Sequence, residues 1–216
     1  MLKMSLTKKL EHWVADGGNL VGEVSVFQNG DGAYRLLHHL DHEREDLERF
    51  ESPIGARSFV RYNDSGEFRP WKSAPGLRRG WELLLGSSAD LREALDYIYP
   101  AVVGTWFSNQ EASIDAVPLR EVLGRQTGMY RFSNNLSDEG AQKLVAKACG
   151  ADGGCLKRVC WPLAEGQPIT SLPAEEVNRD PREAGEMPML CVEGCNWLVA
   201  KARKASADEF QATQDK

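Results

Sequence analysis

The stretch "LVGEVSVFQNGDGAYRLLHHLD", residues 20–41, decides the fold of the N-terminal half. Two runs rich in β-branched and large apolar residues flank Asn29-Gly30-Asp31-Gly32. Asn, Asp and Gly accept the positive φ angles that tight hairpin turns need, so the run predicts two antiparallel strands. The segment "ARSFVRYNDSGEFRPWK", residues 56–72, repeats the pattern around Asn63-Asp64-Ser65-Gly66. Residues 20–85 are therefore expected to form a small, mainly antiparallel sheet. Ahead of it, "SLTKKLEHWVA" (5–15) places Leu6, Leu10, Trp13 and Val14 on one side of a short amphipathic helix, stopped by Gly17-Gly18.

Beyond Ser88 the signals turn helical. "SSADLREALDYIY" offers a serine N-cap and an acidic first turn, and Pro100 closes it. "VPLREVLGRQ" puts Pro118 at a helix start, where its missing N–H costs nothing. "LSDEGAQKLVAKAC" is capped by Ser137 and ends at Cys149-Gly150, and "CNWLVAKARKA" resumes a helix near the C-terminus. Residues 162–189, rich in Pro, Glu and Gly, read as a long connection. The expected class is α+β: a small antiparallel β-rich N-terminal domain (1–87), a mainly helical Cys-rich cluster-binding domain (88–205) and a disordered tail (206–216).

Composition narrows the function. The net charge of −6 argues against a general nucleic-acid binder, whose footprint is basic. No apolar run is long enough to span a membrane, and the N-terminus has neither an h-region nor a cleavage site. A cytoplasmic location is expected, where clustered thiols bind metals or do redox chemistry more often than they pair.

All five cysteines sit in the C-terminal third: Cys149, Cys155 and Cys160 in "ACGADGGCLKRVC", Cys191 and Cys195 in "CVEGCNW". The C-x5-C-x4-C spacing fits neither zinc knuckles nor the ferredoxin run. Gly150, Gly153 and Gly154 allow tight turns and expose N–H donors to sulfur. Cys195 stands at a predicted helix start, where the dipole favours negative charge. Lys147, Lys157, Arg158 and Lys201 supply compensating charge. If 155–160 is extended, Cys155 and Cys160 face opposite sides, and Cys160 sits between Val159 and Trp161 in an apolar setting. The expected ligands are therefore Cys149, Cys155, Cys191 and Cys195, with Cys160 spare. An iron–sulfur cluster, a zinc ion and buried unligated cysteines all remain open on the residues alone.

The segments "SAPGLRRGWEL", "DLREALDYIYP", "PLREVLGRQTGMYR", "LSDEGAQKLVAKAC", "GCLKRVCWPL" and "CVEGCNWLVAKAR" span residues 70–204. Together they resemble the 4Fe–4S-binding C-terminal region, with its preceding stabilising domain, of some bacterial sirohydrochlorin cobaltochelatase-like proteins. The resemblance implies a 4Fe–4S cluster on Cys149, Cys155, Cys191 and Cys195 and a setting in tetrapyrrole or cobalamin metabolism. The chelatase domain that precedes this region in those proteins has no counterpart here, so chelatase activity is not carried over. The expectation is a cluster protein for electron transfer or redox sensing beside a partner protein or redox enzyme, such as a separate chelatase. The rivals are a zinc-stabilised interaction module and a nucleic-acid-binding adaptor.

Three further features have plainer readings. "HHLDHE" gathers His38, His39 and His42 with Asp41, and matches a solvated strand end better than any metal-ligand spacing. The basic and aromatic run Arg61, Arg69, Trp71, Lys72, Arg78, Arg79 and Trp81 could stack bases or hold carboxylates. It better suits a hairpin with its rings in the core and its charges in water, since charged hairpin faces are common and the net charge is negative. "LGRQTGMYRF" could screen a cluster with Met129 and Tyr130 while Arg125 and Arg131 balance its charge; a helix end followed by a short strand reads equally well.

Overall fold

Ser5 opens the first helix, α1 (Leu6–Ala15), its hydroxyl accepting the N–H of Lys8 at 3.4 Å. Leu10 and Val14 form its buried side. In this computed structural model the described residues are 4–60, 76–111, 118–125, 136–149, 155–160, 185–192 and 194–214. They fall into two compact units. Unit 1 comprises Met1–Arg69, Gly76–Ser113 and Arg179–Met189; unit 2 comprises Pro70–Pro75, Ile114–Asn178 and Leu190–Lys216.

Unit 1 holds the expected hairpin. Strands β2 (Val24–Gln28) and β3 (Tyr34–His38) pair antiparallel, with Val26 opposite Leu36. The short β1 (Leu20–Val21) pairs antiparallel with β2, and β5 (Trp81–Leu85) pairs antiparallel with β3. The sheet is not antiparallel throughout. β4 (Glu48–Phe50) runs parallel to β5, and β7 (Glu186–Met187) runs parallel to β1, giving the order β4-β5-β3-β2-β1-β7. β3 and β5, both inside the sheet order, are buried almost without alternation, and α3 packs against β5.

Helix α3 (Ser88–Ile98) is capped by Ser87, whose hydroxyl accepts the N–H of Asp90 at 3.2 Å. It buries Leu91, Ala94, Leu95 and Ile98 and packs against α1, β5 and α4 (Val102–Gln110). Both α3 and α4 thus belong to unit 1, and the expected boundary after residue 87 falls inside that unit. Residues 56–60 also depart from expectation: a 3-10 turn over Pro53–Gly55 leads into helix α2 (Ala56–Phe59), where a strand was predicted. Pro53 favours that helical start, and Phe59 then stacks on Trp81 at 4.0 Å. The predicted turn at 63–66 lies outside the described residues.

The buried carboxylate of Glu82 is held by two arginines. Its Oε2 accepts Arg35 Nε at 2.9 Å and its Oε1 accepts Arg49 Nε at 2.8 Å. Burial pushes its pKa up, but the two guanidiniums outweigh this and hold it below the ordinary carboxylate value.

His38, expected at a solvated strand end, is instead 3% exposed. Its Nδ1 accepts the N–H of Leu40 at 3.2 Å, so the neutral ring carries its proton on Nε2, 3.8 Å from Glu23. Burial pushes its pKa below the ordinary value; Glu23 and Asp41 oppose that shift, while His39 and Arg79 add to it. The unfolded chain therefore binds this proton first on acidification. The contribution of His38 is complete above about pH 6.5 and is lost as pH falls through the lower folded value. The thermal midpoint of the chain should drop between about pH 7 and pH 5. In His38→Asn, which keeps an acceptor near Leu40, the dependence should flatten; an unchanged slope would mean that other groups set it.

Candidate metal centre

Unit 2 is built on helices α5 (Leu119–Gly124), α6 (Asp138–Ala148) and α7 (Asn196–Gln214). Leu119, Val122 and Leu123 pack with Leu144, Leu198 and other apolar residues into one cluster, and Cys149, Cys195 and Trp197 lie against it. Helix α7 continues to Gln214 with Ser206 buried, where a disordered tail was expected from residue 206.

Each cysteine owes its place to a local feature. Ser137 caps α6 by accepting the N–H of Gly140 at 3.0 Å. The helix ends at Cys149, which is extended (φ −120, ψ 164) while its N–H still donates to Val145 at 2.8 Å. β6 (Arg158–Val159) pairs in parallel with β8 (Leu190–Cys191), and the N–H of Cys160 donates to the Cys191 carbonyl at 2.9 Å. This small ladder fastens the two cysteine-bearing segments together. Cys195 precedes α7: its carbonyl accepts the N–H of Val199 at 3.0 Å, and its sulfur accepts that of Leu198 at 3.5 Å. A thiolate there meets the positive end of the helix, as the sequence led us to expect.

Cys155 and Cys191 are each 8% exposed. Burial pushes the Cys191 thiol up to about 12; Lys157 opposes the shift, and Cys155, Cys195 and Cys160 reinforce it. These three thiols thus lie within electrostatic range of Cys191. The buried Cys191 thiol needs a strongly cationic centre to ionise, and cysteine sulfurs in a largely apolar setting, one of them accepting a backbone N–H, suit iron and sulfide. Among the described residues no three His, Cys, Asp or Glu side chains are placed to hold a metal ion together. The connections 150–154 and 161–184 and residue 193 lie outside those residues.

Cys160, expected to be spare, takes part in the contacts of the small ladder. The parity argument that set it aside needed an extended 155–160, whereas only Arg158–Val159 is strand. Cys160 instead stands beside Cys191, half-buried, its thiol pushed up by burial despite the backbone bond to Cys191. Lys157 acts as an expected positive charge on Cys191, while Lys201 lies 4.5 Å from the Trp197 ring centroid. Arg125 pairs with Glu121 at 2.6 Å; Met129, Tyr130 and Arg131 lie outside the described residues. In the basic-aromatic run, Arg78 pairs with Glu48, Arg79 with Asp41 at 3.0 Å, and Trp81 is in the core. That favours the structural reading for these three. Arg61, Arg69, Trp71 and Lys72 lie outside the described residues.

Residues 111–204 match the model of the 4Fe–4S iron–sulfur cluster binding domain. The cofactor is accordingly a 4Fe–4S cluster, and the zinc alternative gives way to it. Residues 7–110 match the model of the DR2241 stabilising domain. Among solved structures the chain is similar to DR2241 from Deinococcus radiodurans, at 27% identity with a TM-score of 0.71 over 94% of this chain. That protein is described as multi-domain, with structural similarity to chelatases and two additional novel domains. The present chain spans 41% of its length. No curated protein matches the chain.

Proposed function

We propose that the protein is a one-electron carrier or redox-responsive module, acting in the cytoplasm beside a partner enzyme of tetrapyrrole or cobalamin metabolism, such as a separate chelatase. The observation that carries the redox reading is the match of residues 111–204 to a cluster-binding domain, a span that holds all five cysteines, with Cys155 and Cys195 acting electrostatically on Cys191. When bound, the cluster supplies reversible one-electron chemistry. The chain's own residues bury the sulfurs, and the Leu198 N–H and Lys157 offset their negative charge. The setting is supported by the chelatase likeness of the Deinococcus protein.

We assign Cys149, Cys155, Cys191 and Cys195 as ligands. A second reading, favoured by the bond between Cys160 and Cys191, gives Cys160 the place of Cys149, which stands at the negative end of α6. Serine variants decide between them. Under the first assignment Cys149→Ser purifies anaerobically without iron and sulfide while Cys160→Ser keeps both; under the second the results exchange. For the redox reading, the loaded chain should take up one electron reversibly, seen as a paramagnetic signal on reduction. A cluster that cannot be reduced without loss of iron would make its role structural.

A further inference from the structure

Unit 1 contains a cavity of about 380 Å³, within the range of small-ligand sites, that neither domain match explains. It lies between α1 and α4. Trp13, Trp106 and Phe107 supply aromatic walls, and Lys9, Asp16 and Glu111 are among its polar lining. The walls are preformed. Trp106 is only 4% exposed, and the Trp13 ring lies so close to Gly18 that a Cβ there would come within 2.3 Å of it.

Lys9 gives the cavity its chemistry. Its side chain is 12% exposed, pairs with Glu111, and lies 5.8 Å from the Phe107 ring centroid. An ammonium carries three donors, and Glu111 is the one acceptor this one has among the described residues. A largely desolvated cation with donors to spare calls for acceptors in the space beside it. The ionisable lining sets Lys9 and His12 against Asp16 and Glu111, a mixed field in which a full charge of either sign on the ligand would face a like charge.

We propose that this cavity binds a planar, uncharged aromatic molecule of about two fused rings that carries a carbonyl-type acceptor. The rings stack among Trp13, Trp106 and Phe107, and the acceptor takes a hydrogen bond from Lys9. The proposal is independent of the cluster and of the redox reading.

Titration calorimetry on the cluster-loaded full chain, with four probes sharing one ring system, tests it. Acetylnaphthalene should bind one per chain, about tenfold or more tighter than naphthalene, naphthoate or naphthylmethyl-trimethylammonium. Lys9→Met, which keeps most of the side chain's apolar stem, should reduce acetylnaphthalene to the affinity of naphthalene. Gln110→Trp, at an exposed lining position, should fill the cavity and abolish binding even if Lys9→Met fails to fold. Absence of saturable binding, equal binding of naphthalene, tightest binding of either charged probe, or full affinity in Gln110→Trp overturns the proposal.

Discussion

Cys191→Ser should yield a colourless chain that retains neither iron nor acid-labile sulfide after anaerobic purification. Cys191 is a shared member of both ligand assignments, and Cys155, Cys160 and Cys195 lie within its electrostatic range. A serine hydroxyl is a hard donor that stays protonated at neutral pH, so it cannot replace a thiolate on a soft iron–sulfide centre. The substitution barely alters β8, because the Cys191 carbonyl still accepts the N–H of Cys160. Loss of the cluster is then a ligand effect, and it carries a folding cost. The binding energy of a metal centre is folding energy for the residues that surround it, and among the described residues the unit 2 core draws on α5, α6 and α7. Iron and sulfide assays, together with thermal unfolding followed at the helical signal, measure both effects. A brown Cys191→Ser protein with parent-like iron content would remove Cys191 from the site and overturn both ligand assignments.

The parts of the fold legible in sequence are those where one local rule dominates. Asn29-Gly30-Asp31-Gly32 gave the β2–β3 hairpin, and Ser5 and Ser137 marked their helix starts because a hydroxyl satisfies a free N–H. Helix α4 left no such mark. It begins from Ala101 at φ +62 with no capping side chain, and β-branched Val102, Val103 and Thr105 flank Gly104, a poor local helix signal that packing against α1 and α3 overrides. Strands β7 and β8 are two residues each, too short for any periodicity, and their partners are distant in sequence. For the same reason the sequence showed Cys195 at a helix start but could not show Cys160 beside Cys191. That neighbourhood depends on the β6–β8 ladder, a long-range pairing no spacing rule encodes. His38 misled in the opposite direction: a polar cluster read as solvated because nothing local announces that Glu23 and the Leu40 N–H would receive a buried ring.

Trp81→Ala should be the most damaging single substitution in unit 1, costing about 3–5 kcal/mol. Trp81 is 0% exposed and lies face to face with Phe59, the rings 4.0 Å apart and 6° from parallel. Its indole N–H donates to the Arg78 carbonyl at 2.7 Å. Alanine removes the ring, leaves Phe59 facing a void and strips that carbonyl of this donor, so the transfer, cavity and hydrogen-bond losses act together. Against a typical total of about 5–15 kcal/mol, such a loss brings the unit near its unfolding limit at ordinary temperature. Two companion variants separate the contributions. Trp81→Phe keeps an aromatic face against Phe59 but removes the N–H donor, and should cost about 1–3 kcal/mol. Phe27→Ala, at 38% exposure with a single edge contact to His42, should cost less than either. Urea unfolding followed by far-ultraviolet circular dichroism gives the order. Equal losses in Trp81→Ala and Phe27→Ala would mean that the Phe59–Trp81 stack does not anchor the sheet.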